Sequence, residues 1–280
     1  MTTKTWFITG ASAGIGRLVT ERLLAGGHRV AATARRPEAL ADLAVRYPDL
    51  LWTAALDVTD TRALRAVVAH AFEELGRVDV VFSNAGRGAA GAAEEMSDAA
   101  IDEQIALNMT APIQLLRAVL PHLREQGGGR FIQTSTMGAH ITGPGAGMYH
   151  ASKWGVEGFL ESVIPEVESF GVGITMVEPG MIRTGFGASL SVADALPVYA
   201  DTPVGHLHAY IKAAGNVTAD APGDPARVAA AIIASADASP APRRLALGSD
   251  AYLAIRAALT GRIEELDAGK DIAGSTDFAA

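Results

Sequence analysis

Residues 4–16 read Lys4-Thr5-Trp6-Phe7-Ile8-Thr9-Gly10-Ala11-Ser12-Ala13-Gly14-Ile15-Gly16, and Arg17 to Leu24 continue at helical period. The opening residues are a short β-rich run, so strand, glycine turn and helix follow in that order. Glycines let the backbone turn tightly and approach a ligand, while the unpaired N–H groups and positive dipole end of the helix favour a pyrophosphate. The spacing is Gly-x3-Gly-x-Gly and departs from the commoner Gly-x-Gly-x2-Gly fingerprint. Taken alone, such a cluster also reads as an ordinary flexible turn.

A second motif lies far along the chain, at Tyr149-His150-Ala151-Ser152-Lys153. A Tyr and a Lys four apart on a helix project onto one face, where the ammonium can tune the phenol. A free phenol titrates near ~10, and a fixed cation beside it is expected to lower that value toward the working range of an acid/base catalyst. Between these motifs stand Asp57-Val58, Ser83-Asn84-Ala85-Gly86 and Asn108, and beyond them Glu178-Pro179-Gly180-Met181-Ile182-Arg183-Thr184. Together these pieces, in this order, resemble the short-chain dehydrogenase/reductase family, the single-domain type with TGxxxGxG and YxxxK motifs.

Composition and periodicity agree. At 280 residues and 49% hydrophobic, the chain suits one well-buried α/β domain, 1–280, with no internal repeat or linker. Candidate strands at 4–9, 28–34, 51–56, 78–83, 129–135, 172–178 and 243–247 alternate with helical segments such as 60–75, 98–125 and 149–170. Alternation of this kind predicts a doubly wound parallel sheet, a Rossmann fold, with helices on both faces and a ligand crevice beyond the carboxyl ends of the strands. The absence of cysteine leaves neither disulfides nor thiolate metal sites, and a net charge of -8 argues against a nucleic-acid partner. The N-terminus enters the first strand almost at once and no apolar run approaches the ~20 residues of a membrane span, so a cytoplasmic protein without membrane partners is expected. His206-x-His208 is read as a polar pair on an exposed loop, and no metal is expected.

Cofactor preference follows from the second strand. An NAD enzyme places an acid near its end to bond both ribose hydroxyls, and here Ala34 holds that place, followed by Arg35 and Arg36. Their guanidinium forks suit a 2′-phosphate, which favours NADP(H) with NAD(H) as the lesser option. Ala13 departs from many NADP-using relatives, which carry a basic residue there. The resemblance implies the rest of the cofactor site: Gly10, Ser12, Ala13, Gly14, Ile15 and Gly16 around the pyrophosphate, Asp57 with Val58 at the adenine, and Asn84-Ala85-Gly86 at the adenosine ribose. By the same likeness Pro179 and Gly180 approach the nicotinamide, Ile182 and Thr184 address its carboxamide, and Tyr149 and Lys153 line its ribose.

For catalysis the resemblance implies hydride transfer between the nicotinamide and a carbonyl or secondary alcohol carbon, with Tyr149 as general acid/base and Lys153 beside it. Asn108 is expected to hold a water in the proton route. Its own physical argument is that Pro112, four residues later, lacks the N–H that would have bonded its carbonyl. Relatives place a Ser thirteen residues before the Tyr; here Thr136 stands there, with Ser135 adjacent as the alternative. Thr136 keeps the hydroxyl, and strand alternation aims the two neighbours at opposite faces.

The stretch 185–225, rich in Gly, Ala and Pro, reads as a mobile apolar substrate lid carrying Leu190, Val192, Leu196, Val198, Tyr199, Leu207 and Tyr210. Lys212 is its one basic residue, which favours a neutral, fairly hydrophobic substrate such as a steroid, retinoid or polyketide-like ketone, although Arg87 and Arg183 weaken that inference. Two other readings stay open: an NAD-dependent epimerase or dehydratase, whose chains usually carry a larger C-terminal domain, and a non-catalytic NADPH-binding sensor. Apolar residues Ile105, Met109, Ile113, Leu116, Trp154, Phe159, Val163 and Val167 exceed what one sheet-facing stripe requires, so a homo-oligomer built on these helices is expected.

Overall fold

In the computed structural model, which describes residues 3–278, β1 (Thr5–Thr9) runs into α1 (Gly14–Ala25), then β2 (Arg29–Ala34), α2 (Ala41–Arg46), β3 (Leu51–Ala55) and α3 (Thr61–Leu75). Residues 1–2 and 279–280 of the expected 1–280 domain lie outside the described residues. The chain continues through β4 (Val80–Ser83), β5 (Ala89–Ala90), α4 (Asp98–Ile105), α5 (Ala111–Glu125), β6 (Gly129–Thr134), α6 (Gly147–Val167) and β7 (Val172–Pro179). It ends with β8 (Ser191–Val192), α7 (Pro203–Ala214), α8 (Pro225–Ser235), β9 (Arg244–Leu247), α9 (Ser249–Ala268) and α10 (Lys270–Gly274).

Seven strands form one parallel sheet in the order β3-β2-β1-β4-β6-β7-β9, as the alternating pattern predicts. The order reverses between β1 and β4, so the crevice opens above the ends of those two strands. Period-two alternation divides the core into two layers. Phe7, Ala31, Val81 and Phe131 face one layer with Leu64, Val68, Leu115, Val119, Val156 and Leu160 of α3, α5 and α6. Trp6, Ile8, Val80, Phe82 and Ile132 face the other, against Val19 and Leu23 of α1 and Val228 and Ile232 of α8. Strands buried on both faces are near-continuously apolar, which is why β1 and β4 read as short β-rich runs.

Three features refine the sequence reading. The helix expected over 98–125 is interrupted by a π-turn at Ala106–Thr110, where the Ala111 N–H reaches back five residues to the Ala106 carbonyl. Pro112 removes a regular helical donor at this point, and the wider turn is the local solution. The segment 185–225 carries regular elements: β8 pairs in parallel with β5, and α7 is capped by the Thr202 hydroxyl accepting from the Gly205 N–H. His206 and His208 therefore sit on a helix and not on a loop.

Candidate active site

The glycine loop turns as its residues require. Gly10 and Gly14 have φ of +65° and +52°, a region that costs little only without a side chain. A Cβ on Gly16 would lie 2.3 Å from the Gly10 carbonyl oxygen and 2.5 Å from Asn84 Nδ2. Helix α1 begins at Gly14 with Ala13 as its N-cap and no acid in its first turn, so its N–H groups point into the crevice without a capping side chain. Ser12 and Ile15 are half-buried there.

Asn84 binds this loop from the neighbouring strand. Its amide donates to the carbonyls of Thr9 and Gly10, each at 3.2 Å, while the Asn84 and Ala85 N–H groups donate to the Thr9 hydroxyl at 2.9 and 3.1 Å. The side chain expected at the adenosine ribose thus spends its donors in bracing the turn. Gly86 lies deeper, where an added Cβ would meet Asn108 Oδ1 at 3.2 Å and Lys153 Nζ at 3.8 Å.

At the end of β2, Arg35 and Arg36 are exposed, and neither guanidinium has a hydrogen-bond or ion-pair partner among the described residues. Across from them Asp57 accepts from the Thr59 hydroxyl at 2.7 Å and the Thr59 N–H at 2.9 Å. These bonds, with a smaller contribution from Arg35, hold its carboxyl below the ordinary range. Val58 is buried beside Leu64 in the core, and Asp60 caps α3 by accepting from the Ala63 N–H.

The four residues expected to act in catalysis converge between β6, the π-turn and α6. Asn108 is fully buried, with Nδ2 donating to the Arg87 carbonyl at 2.8 Å and to Ser152 Oγ at 3.3 Å, and Oδ1 accepting from the Arg87 N–H at 3.1 Å. Lys153 Nζ donates to the Thr134 carbonyl at 2.9 Å and lies 6.0 Å from the centre of the Tyr149 ring. The Thr136 hydroxyl accepts from the Gly138 N–H at 3.1 Å and lies near enough to the Tyr149 phenol to lower its pKa. Ser135, the alternative hydroxyl, does not join them: it is buried and donates to Glu157, because its neighbour on the strand faces the other way. Ser152, inside the YHASK motif, is a participant that spacing alone did not single out.

The titration of the pair differs from the sequence reading. Burial pushes the Tyr149 phenol up to about 12, opposed only by the bond with Thr136, and burial pulls Lys153 down to about 8, opposed by the charge of Glu157. The expected lowering of the phenol by Lys153 is absent, because withdrawal from water acts on both groups and favours the neutral form of each.

Beyond β7, the Gly180 N–H donates to the Leu247 carbonyl at 2.9 Å, and Asp250 receives the Met181 N–H at 2.7 Å. Pro179 closes β7, Ile182 is buried with Val228 and Ile232, and Thr184 Oγ1 accepts from the Phe186 N–H at 3.2 Å. The Phe186 ring stands 6.1 Å from the Tyr149 ring, and the missing side chain of Gly88 leaves room for it: a Cβ there would lie 2.5 Å from Leu190 and 3.2 Å from Phe186. Of the apolar residues in the 185–225 segment, Val192, Leu196, Val198 and Tyr210 are exposed, whereas Leu207 packs over Gly145.

A sequence model described as short chain dehydrogenase matches residues 4–194. The chain belongs to the short-chain dehydrogenase/reductase family. Among relatives of this short-chain dehydrogenase/reductase, oxidoreductase BOA17 of Botryotinia fuckeliana (strain B05.10) is 36% identical over 251 residues, covering 89% of this chain and 90% of its own. The 3-ketodihydrosphingosine reductase of Bacteroides thetaiotaomicron is 33% identical over 187 residues, 67% of each chain. A solved short-chain dehydrogenase from Streptomyces avermitilis superposes with a TM-score of 0.90 at 37% identity, covering 99% of both chains. The short-chain dehydrogenase/reductase is thus an oxidoreductase whose fold is shared over its whole described length. Among the described residues no helix is long and apolar enough to cross a membrane.

Proposed function

We propose that the protein is an NADP(H)-preferring ketoreductase that interconverts a carbonyl and a secondary alcohol on a neutral, fairly hydrophobic substrate. The observation that carries this reading is the convergence of Asn108, Thr136, Tyr149 and Lys153 beside an uncapped helix N-terminus. The residues fit a dinucleotide: the N–H groups of α1 suit a pyrophosphate, Gly10, Gly14 and Gly16 keep side chains out of its way, and the unpartnered Arg35 and Arg36 suit a 2′-phosphate. Asp57 and Pro179, which follow or close strands, and Gly180 and Thr184 beyond them are assigned to the same cofactor site by the family likeness, with Ile182 packed behind them. A bound nicotinamide supplies or accepts the hydride.

Tyr149 gives its phenolic proton to the substrate oxygen during reduction, and Thr136 donates a hydrogen bond that orients that oxygen. A phenol near 12 is a reluctant donor, so the charge of Lys153, offset against the phenolate as it forms, matters most at that moment. Asn108 orders the Arg87 backbone and Ser152 at the back of the site.

Two cations that weakened the neutral-substrate reading are engaged elsewhere: Arg87 pairs with Glu103 at 2.9 Å, and Arg183 donates to the Ala221 carbonyl at 3.2 Å. Phe186, Leu190 and Leu207 offer apolar surface near Tyr149, and the Bacteroides relative is named for reduction of a ketone. A cytoplasmic homo-oligomer completes the reading. Tyr149→Phe removes the donor and keeps the ring's packing, so turnover in a carbonyl panel followed by NADPH absorbance is expected to fall at least a hundredfold, with NADPH affinity nearly unchanged. Retention of more than about a tenth of turnover would refute the assignment.

A further inference from the structure

Behind Thr136 lies a buried charged cluster that the reaction as written above does not use. Ser135 Oγ donates to Glu157, and Arg244 reaches the same carboxylate with Nη2 at 3.1 Å and Glu178 with Nε at 2.9 Å. His140 Nε2 stands 3.1 Å from Glu178 and 3.8 Å from Glu157. Glu157, Glu178 and His140 are buried, whereas Arg244 enters from the surface, where it also pairs with Glu161. The donor atoms of His140, Glu157 and Glu178 lie within 4.8 Å of one another, a spacing that suits a cation, and the guanidinium of Arg244 already fills that role.

The cluster joins the chain segments around Thr136, Lys153 and Pro179. Ser135 precedes Thr136, His140 follows it by one turn, Glu178 precedes Pro179, Arg244 opens β9, and Glu157 lies one helical turn beyond Lys153. Glu157 and Glu178 share the one guanidinium of Arg244, which also pairs with Glu161, so the cluster holds an excess of acidic groups over arginine. Side chains four apart on a helix are about 5–6 Å apart at Cβ, so Lys153 is the buried cation within reach of that excess. The other groups around Lys153 are Tyr149 on its own helix, the Thr134 carbonyl of β6, and Gly86 with Asn108 from the loop after β4 and the π-turn. Apart from Tyr149 and the cluster behind Glu157, none of these is ionisable.

We propose that Glu157 is a positioning residue that ties the Thr136 strand end to α6 and serves as the counter-charge of the buried Lys153. Its catalytic consequence rests on the reading of Tyr149 and Lys153 given above. In support, the charge of Glu157 opposes the fall that burial imposes on Lys153. Arg244 competes with Lys153 for Glu157, so removing Arg244 and removing Glu157 act on Lys153 with opposite signs.

The test is NMR titration of the Lys153 ε-amino group in the cofactor-free protein bearing 13C-labelled lysine, assigned by its loss in Lys153→Met. Glu157→Gln, which keeps an acceptor for Ser135, is expected to move the titration to lower pH, and Arg244→Gln to higher pH. In turnover, Glu157→Gln is expected to lose activity on the alkaline side first, so that the ratio of kcat at pH 6 to kcat at pH 9 rises by about tenfold for each pH unit the titration moves. An unmoved Lys153, movement in the same direction in both variants, or an equal loss of kcat at every pH would overturn the proposal. Should Glu157→Gln not fold, Arg244→Gln decides alone: a rise supports the counter-charge and no change overturns it. The titration needs no turnover, so failure of the Tyr149→Phe prediction would leave this result standing.

Discussion

Two residue-scale contests decide how the crevice behaves. At Lys153, burial in a site with one carbonyl acceptor outweighs the attraction of Glu157, and the ammonium titrates near 8 and not at its ordinary 10.5. A cation with a lowered value contributes stability that is present above 10.5 and lost as pH falls through about 8. Tyr149, raised to about 12, contributes stability that is intact below 10, so it does not cancel the Lys153 effect over pH 8 to 10. Denaturant titrations of the cofactor-free protein are therefore expected to show a slope of up to about 1.4 kcal/mol per pH unit that is missing from Lys153→Met. Parallel curves for the two proteins would refute it. At Arg35 and Arg36, the double replacement by Ala is expected to weaken NADPH by tenfold or more and NADH much less, since only the phosphorylated cofactor loses two charge-assisted contacts. Equal losses in a binding titration would assign the arginines to the solvent. The residue types were legible in sequence because each motif fixes its own local geometry. The direction of the Tyr149 titration was not, because desolvation depends on what covers the ring, and Phe186 arrives from a segment 37 residues away.

Elements of four residues or more announce themselves by period, and shorter ones do not. The seven strands of the main sheet lie within two residues of where alternation placed them, while β5 and β8, at two residues each, are too brief to show any period. They nevertheless anchor the segment 185–225, together with Glu95. This carboxylate accepts from His208 at 2.8 Å, the Leu196 N–H at 2.9 Å and the Ala92 N–H at 2.7 Å. Those bonds, His208 first, lower it to about 2, so the contact is present above its ordinary value of 4.5 and is lost only as pH falls through about 2. An amide has one acceptor oxygen where the carboxylate has two, so Glu95→Gln leaves a donor facing a donor. Amide exchange across 190–214 is expected to quicken by about tenfold in that variant, with exchange in β1 and β4 unchanged. A uniform change, or none, would show that the lid is held by other means.

For the whole molecule, the sequence pointed to an oligomer through apolar side chains on the two long helical segments. Several of those residues are spent inside the subunit: Leu116, Val163 and Val167 lie in the core, whereas Trp154 stays exposed with the Arg262 guanidinium 4.4 Å from its ring. Surface remains elsewhere, since Tyr252, Leu253, Leu259, Ile263 and Leu266 on α9 are exposed. Light scattering at micromolar concentration is expected to give a multiple of 28.9 kDa, and a clean monomer mass would remove the oligomer from the reading.

The strand order also writes a schedule for synthesis. Reading outward from β1, the chain completes β3-β2-β1-β4 by Ser83, and every later strand of the main sheet joins one growing edge: β6 on β4, β7 on β6, β9 on β7. Asn84 can therefore brace the glycine turn while the remaining two-thirds of the polypeptide is still being made, whereas Lys153 finds the Thr134 carbonyl only after β6 has docked. A nascent chain is thus able to close the glycine turn against β4 well before the segment that carries Tyr149 and Lys153 exists to be packed beside it.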